Sequence, residues 1–270
     1  MSDVFLAMLC RAFLVLGLMA TVAGCAATGA GSGPLQELAT ESDQSDAERR
    51  ARVRLELASA YFSRGQLEVA LDELKLSIGA KADLSEAYNL RGLVYAAMSQ
   101  PTLAEGSFKR ALQVQARDAD AMHNYAWFLC QAQRYPEAMT LFDQALAEPQ
   151  YRGGARSLMA RGLCQARAGQ WMQAEGSLLK SYELDPSYPG TAINLAEVLY
   201  RRAEFERARF YIGRVNSQPV SVNAQTLWLA ARIERKLGGG AREREFGAQL
   251  RSKFPDAPET QLFEAGRFDE

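Results

Sequence analysis

A recurring spacing of 34 residues between small side chains most constrains what this chain can fold into. Blocks beginning at residues 51, 85, 119, 155, 189 and 223 share a small eighth residue: Ala58, Gly92, Ala126, Gly162, Ala196 and Ala230. The twentieth residue of the first five blocks is always alanine, at Ala70, Ala104, Ala138, Ala174 and Ala208. The twenty-fourth is apolar throughout, at Leu74, Phe108, Phe142, Leu178, Ile212 and Phe246. Because antiparallel helices approach closely only where small side chains make room, each block is predicted to be one helix pair.

This block resembles the tetratricopeptide repeat, which has small side chains at positions eight and twenty and larger ones between and after them. The resemblance implies an all-α fold, a right-handed superhelical solenoid of about six tetratricopeptide repeats, in which each repeat buries its apolar face against the next. The predicted repeats lie within residues 46–258, at 51–84, 85–118, 119–152, 155–188, 189–222 and 223–256. Residues 259–270 are predicted to form a tail or a cap on the last repeat.

Residues 1–24 are typical of a lipoprotein signal peptide. Arg11 precedes an apolar run, Ala12–Ala23, that is too short to span a bilayer. The run and Gly24 lie directly before Cys25, an arrangement that resembles the bacterial lipobox, in which the cysteine is lipidated. An ordinary signal peptide with a cysteine near its cleavage site is the alternative. Several acyl chains on Cys25 would hold the protein at a membrane, since each buried methylene contributes about 0.8 kcal/mol.

The residues after Cys25 are predicted to form a flexible tether to the repeats. Residues 25–45 combine the lipidated cysteine with a segment rich in Gly, Ala, Ser and Thr, whose average reach is roughly 25 Å. Ala26 is not acidic, and by resemblance to bacterial lipoproteins this favours the periplasmic face of the outer membrane. Ser45 and Glu48 fit a capping box and so predict the start of the first helix.

The composition limits the possible functions. With 31 basic and 32 acidic residues, the net charge of -1 excludes nucleic-acid binding through bulk positive charge. His123, the single histidine of the chain, lies seven residues before Cys130 on one predicted helix. The two are therefore about 10 Å apart along its axis, against the roughly 3 Å that a nucleophile and its base require. We expect no enzymatic activity, no cofactor, no metal and no small-molecule substrate. Cys130 and Cys164 are either buried free thiols or a disulfide.

The first helix of each repeat is expected to line an inner groove, with positions two, five, nine and twelve pointing into it. The residues predicted to line this partner groove are Leu55, Phe62, Asn89, Leu93, His123, Trp127, Met159 and Leu163. The apolar members of this set form a stripe together with Ile193 of the fifth repeat. Such a stripe suits an extended or helical peptide with apolar anchors. The alternative is that the curvature of the array buries half of these side chains. No lysine occupies the fifth position, so capture of an acidic C-terminus is not expected.

The lipobox, length and repeat number, with strings such as HNYAWFLCQAQRYPEAMTLFDQAL, resemble the type IV pilus biogenesis and stability lipoproteins, the PilF/PilW family of secretin pilotins. The resemblance covers residues 25 to about 256. It implies a monomeric, non-catalytic lipoprotein that binds the pilus secretin subunit. Its role would be to promote outer-membrane localisation and multimerisation of the secretin, for pilus assembly and twitching motility. A tetratricopeptide scaffold lipoprotein for another envelope machine, such as cell-wall synthesis or outer-membrane insertion, is the alternative.

Overall fold

The computed structural model describes residues 45–268, and this part of the chain is built from helices. The signal peptide, Cys25 and the tether lie outside the described residues. The α-helices in chain order are α1 (Asp46–Ser63), α2 (Leu67–Ala80), α3 (Ser85–Ala97), α4 (Pro101–Val114), α5 (Ala119–Gln131), α6 (Tyr135–Ala147), α7 (Gly154–Arg167), α8 (Trp171–Leu184), α9 (Pro189–Arg201), α10 (Phe205–Asn216), α11 (Ala224–Lys236), α12 (Gly240–Lys253) and α13 (Pro258–Glu264). A 3₁₀ turn, Pro219–Ser221, precedes α11. The predicted all-α tetratricopeptide solenoid is confirmed.

The first twelve helices form six antiparallel pairs, and each predicted repeat contains one pair. Helix α1 begins at Asp46, one turn before the first block. The first helices of neighbouring repeats pack against one another, whereas each second helix packs on the first helix of the next repeat. The first helices α1, α3, α5, α7, α9 and α11 therefore form the inner side of the array.

The small residues of the repeat pattern lie where the two helices of a pair are closest. The alanines at position twenty are fully buried in the first five repeats, as are the large residues at position twenty-four. At Gly92 an added Cβ atom would lie 2.6 Å from the Phe108 ring, and at Gly162 it would lie 2.7 Å from Leu178. Because such distances are shorter than van der Waals contact, the large residue of one helix packs directly on the backbone of the other.

The turn between the two helices of a pair uses one backbone conformation in all six repeats. Its central residue has a positive φ, between 57° and 75°, at Gly65, Ser99, Gln133, Gly169, Ala203 and Gly238. Glycine adopts this left-handed conformation without a steric cost, whereas residues with a Cβ atom do not. Three of the six turns therefore carry local strain.

The C-terminal residues close the last repeat. Helix α13 packs on both α11 and α12, and Phe263 lies so close to Gly247 that an added Cβ atom would be 2.1 Å from its ring. Phe268 then returns to stack on Trp228 of α11, with 5.0 Å between the ring centroids. These residues cover the surface to which a seventh repeat would bind, as the terminal cap of a repeat array must do.

Candidate protein-binding groove

Seven of the eight predicted groove residues lie half-buried on the first helices of repeats one to four. They lie on α1, α3, α5 and α7, at Leu55, Phe62, Asn89, Leu93, Trp127, Met159 and Leu163. Leu55, Phe62, Leu93, Trp127 and Met159 pack on the buried core and keep part of their surface accessible. These side chains can therefore offer apolar contact area to a partner while they also belong to the core of the repeats.

His123, the eighth predicted residue, does not lie on the accessible surface of the groove. Its side chain is buried, and Nδ1 lies 2.7 Å from the Ser157 hydroxyl of α7. The Ser157 hydroxyl is also 2.7 Å from the Tyr151 hydroxyl. Burial lowers the pKa of His123 to about 4, with the Arg156 guanidinium as a second cause, so the imidazole is neutral at pH 7. Because α7 lies alongside α5, the curvature of the array turns this position into a contact between repeats.

A disulfide joins the same two helices. Cys130 of α5 and Cys164 of α7 are bonded, with 5.8 Å between their Cα atoms, and both are buried. This resolves the two alternatives for these cysteines in favour of a disulfide. The cysteines are 34 residues apart, and so are His123 and Ser157. Because repeats three and four begin at residues 119 and 155, both links join non-equivalent positions of the two repeats. The disulfide and the hydrogen bond together hold α5 and α7 to one another beneath the groove.

Trp127 is stacked with an arginine that the sequence pattern did not assign to the groove. The guanidinium carbon of Arg167, in the last turn of α7, lies 4.9 Å from the centroid of the Trp127 ring. Arg167 follows Leu163 by four residues, so it lies one turn along the same row of the helix. That spacing is the signal that would have identified it, because position thirteen continues the row of positions five and nine.

A polar cavity of about 670 Å³ opens at the loop end of repeats two and three. Its lining residues include Glu86, Asn89, Arg117, Asp120 and Tyr151. The charges are largely compensated, since Arg117 pairs with Glu148 at 2.8 Å, Asp120 pairs with Arg156, and Asn124 donates to Asn89 at 3.1 Å. This end of the groove is therefore lined by polar and charged side chains, several of which pair within the protein.

A second cavity, of about 390 Å³, lies where α7, α8 and α9 meet. Its walls include Ala155, Met159, Tyr188 and Thr191. Tyr188, one of the lining residues, is 51% exposed. This cavity lies at the junction of repeats four and five, beside the predicted groove residue Met159.

Comparison with known proteins identifies the kind of array. A family model for the tetratricopeptide repeat matches residues 89–155 and 131–189. The type IV pilus assembly protein PilF of Pseudomonas aeruginosa is 28% identical over 255 residues, which are 94% of this chain and 98% of PilF. A solved structure of P. aeruginosa PilF superposes with a TM-score of 0.73 at 25% identity, over 82% of this chain and all of that one. A crystal structure of PilW, a widely conserved type IV pilus biogenesis factor, gives 0.73 at 28% identity, over 78% of this chain and 97% of that one. The chain is a PilF/PilW-like tetratricopeptide-repeat protein.

The groove is the main candidate binding site among the described residues of this PilF/PilW-like protein. Within residues 45–268 no His, Cys, Asp and Glu side chains cluster in a way that could hold a metal ion. Over the same part of the chain, every helix is too short or too polar to cross a membrane. Cys130 forms a disulfide with Cys164, and His123 forms a hydrogen bond with Ser157. His123 and Cys130, which are seven residues apart on α5, therefore have other partners than each other.

Proposed function

We propose that this protein is an outer-membrane lipoprotein that binds the type IV pilus secretin and promotes its localisation and multimerisation, and that pilus assembly and twitching motility need it. The observation that carries the proposal is the similarity to PilF, which spans 94% of this chain and 98% of PilF. Because it extends over all six repeats and is not limited to one generic repeat, it relates the whole array to a type IV pilus assembly protein.

The groove supports the proposal that the repeats act by binding a protein. Leu93, Trp127 and Leu163 lie on three neighbouring first helices and present partly accessible apolar surface on one side of the array. The Cys130–Cys164 disulfide fixes two of these helices relative to one another. A surface that is rigid before binding loses little conformational entropy when a partner binds.

In this proposal the two ends of the protein have different tasks. Lipid on Cys25 would hold the chain at the periplasmic face of the outer membrane, while the groove would bind the secretin subunit. A tether of about 20 residues, with a reach of roughly 25 Å, would keep the repeats and the bound secretin subunit within a thin layer next to the membrane. Confinement raises the effective concentration of secretin subunits at the membrane where they must assemble.

The proposal predicts that secretin multimers depend on this protein. We would measure heat- and detergent-resistant secretin multimers in outer-membrane fractions of cells with and without the gene. We expect the multimers to disappear in its absence while secretin monomer persists. Unchanged multimers would contradict the proposal and would direct attention to another envelope machine.

Anchoring is tested by replacing the cysteine of the lipobox. We expect Cys25→Ala to leave the protein soluble in the periplasm, because the chain then has no site for acyl chains. Cys10→Ala is the matched control, since Cys10 lies in the segment that the signal peptidase would remove. The lipid anchor is refuted if the Cys25→Ala protein still fractionates with the outer membrane.

A further inference from the structure

Arg167 is an exposed cation held against an aromatic ring inside the groove. Its guanidinium stacks on Trp127, and within residues 45–268 the structure gives it no carboxylate partner. The arginines at the same position of the next two repeats differ in this respect. Arg201 pairs with Glu197 at 2.9 Å, and Arg235 pairs with Glu243 at 3.2 Å. Arg201 and Arg235 thus use their charge in ion pairs within the protein, whereas the charge and N–H groups of Arg167 stay available for a ligand.

The contact with Trp127 leaves N–H groups of the exposed Arg167 guanidinium available. A guanidinium that lies over an aromatic ring keeps its N–H groups in the plane, directed away from the ring contact. Planar N–H pairs of this kind match the two oxygens of a carboxylate. Trp127 therefore holds a carboxylate-binding group close to the groove, where Arg167 is exposed.

The 390 Å³ cavity at the other end of α7 is suited to an apolar side chain. The polar groups in its walls have partners within the protein, and these groups include Arg156, which pairs with Asp120. The Ser181 hydroxyl donates to the Ala155 carbonyl at 2.8 Å, and Asp185 accepts from the backbone N–H of Ser187 at 3.1 Å. What remains open to an occupant is the surface of Met159 and of the exposed Tyr188 ring. The volume is sufficient for an aromatic or a long aliphatic side chain.

Both features lie along one face of α7. Met159, Leu163 and Arg167 follow one another at intervals of four residues, so they form a single row on the helix. At 1.5 Å per residue, Met159 and Arg167 are about 12 Å apart along the axis. An extended peptide covers this distance with about four residues and a helical one with about eight.

We propose that the groove of repeats three to five binds a partner segment that carries an acidic side chain and a large apolar one, about 12 Å apart. The carboxylate pairs with Arg167 on its Trp127 support, and the apolar side chain enters the cavity beside Met159. This inference rests on the proposed function and names the chemistry of the segment that the groove recognises. It concerns an aspartate or glutamate side chain within the segment. A free C-terminus is a different ligand, for which the fifth positions lack the lysine.

The probe for this inference is a library of random twelve-residue peptides displayed on phage and selected on the full chain. We expect the selected peptides to combine an acidic residue with an aromatic or aliphatic one. Their affinity should fall at least tenfold for Arg167→Glu and should weaken as the salt concentration rises. Arg214→Glu is the matched control. Arg214 also lies over an aromatic ring, Phe210, at 5.9 Å, but on α10, which is not an inner helix.

The inference is overturned if the library yields no binders, if the selected peptides lack acidic residues, or if Arg167→Glu binds them as tightly as Arg214→Glu. Circular dichroism of both variants checks that they are folded, as expected for two exposed positions. Binding of the secretin subunit separates this inference from the proposed function. If Arg167→Glu binds the secretin as well as Arg214→Glu does, the proposed function stands and the inference falls. If the chain selects acidic and apolar peptides but does not bind the secretin, the groove chemistry stands and the secretin is not the partner.

Discussion

The disulfide between repeats three and four should contribute measurably to the stability of the array. Cys130 and Cys164 are separated by 34 residues, so their bond closes a long loop in the unfolded chain. In the chain-entropy model, closing a loop of this length lowers the conformational entropy of the unfolded chain. The folded state is thereby stabilised by about 4 kcal/mol. We therefore expect the double variant Cys130→Ala with Cys164→Ala to lose about 4 kcal/mol of unfolding free energy, or roughly 8–16 °C in melting temperature.

Urea unfolding followed by circular dichroism measures this loss, with the oxidised chain compared with the double alanine variant. Refolding the natural chain under reducing conditions should produce a similar loss of unfolding free energy. Both cysteines are buried in the folded chain, so the reductant reaches their bond once the chain is unfolded, and the chain then refolds without it. The double variant should not respond to the reductant, which makes it the control. A loss below about 1 kcal/mol, or an equal response of the double variant to reduction, would refute the reasoning from loop closure.

Three further predictions concern single positions, and each is checked by the free energy of unfolding. Gly92→Ala should destabilise the chain by about 1–3 kcal/mol, because the new Cβ atom would lie 2.6 Å from Phe108. The control Gly106→Ala, on a helix face with open space, should stabilise it by about 0.5–1 kcal/mol. Ala203→Gly should stabilise it by roughly 0.5–1 kcal/mol, because the turn holds φ at 60°, and a loss would contradict the strain. Burial lowers the pKa of His123 from 6.5 to about 4. As the pH falls, His123 therefore takes up a proton in the unfolded chain before it does so in the folded chain. The free energy of unfolding should fall by about 3 kcal/mol between pH 6.5 and pH 4. His123→Gln should flatten this dependence between pH 5 and 6.5, and an unchanged slope would refute it.

The repeat pattern made the fold predictable because its rule is local and steric. Wherever the two helices of a pair touch, one helix needs a small residue and the other a large one at a fixed offset. Gly92 with Phe108 and Gly162 with Leu178 are two such pairs. The same offsets recur in every repeat, so the period alone identifies the helix pairs. The closing of the last repeat by Phe268 lies beyond the period and depends on tertiary contact with Trp228.

The candidate site was less predictable, because it depends on contacts between repeats. Helical spacing placed His123 in the groove, but the neighbouring helix buries it against Ser157. The same closeness of α5 and α7 joins Cys130 to Cys164, which are not at equivalent positions of their repeats. Arg167 was missed because its importance comes from the Trp127 ring of another repeat. Spacing within one helix carries no information about which side chains the next repeat brings near.

The most direct test of the account is binding between the purified chain and the periplasmic part of the type IV pilus secretin subunit. Isothermal titration calorimetry would compare the natural chain with the double variant Leu93→Ala and Trp127→Ala. We expect the natural chain to bind, and the variant to keep its helical content while its affinity falls at least tenfold, since both residues offer accessible apolar surface in the groove. Failure of the natural chain to bind would contradict the secretin as partner. Undiminished binding by a folded double variant would place the binding surface outside the groove.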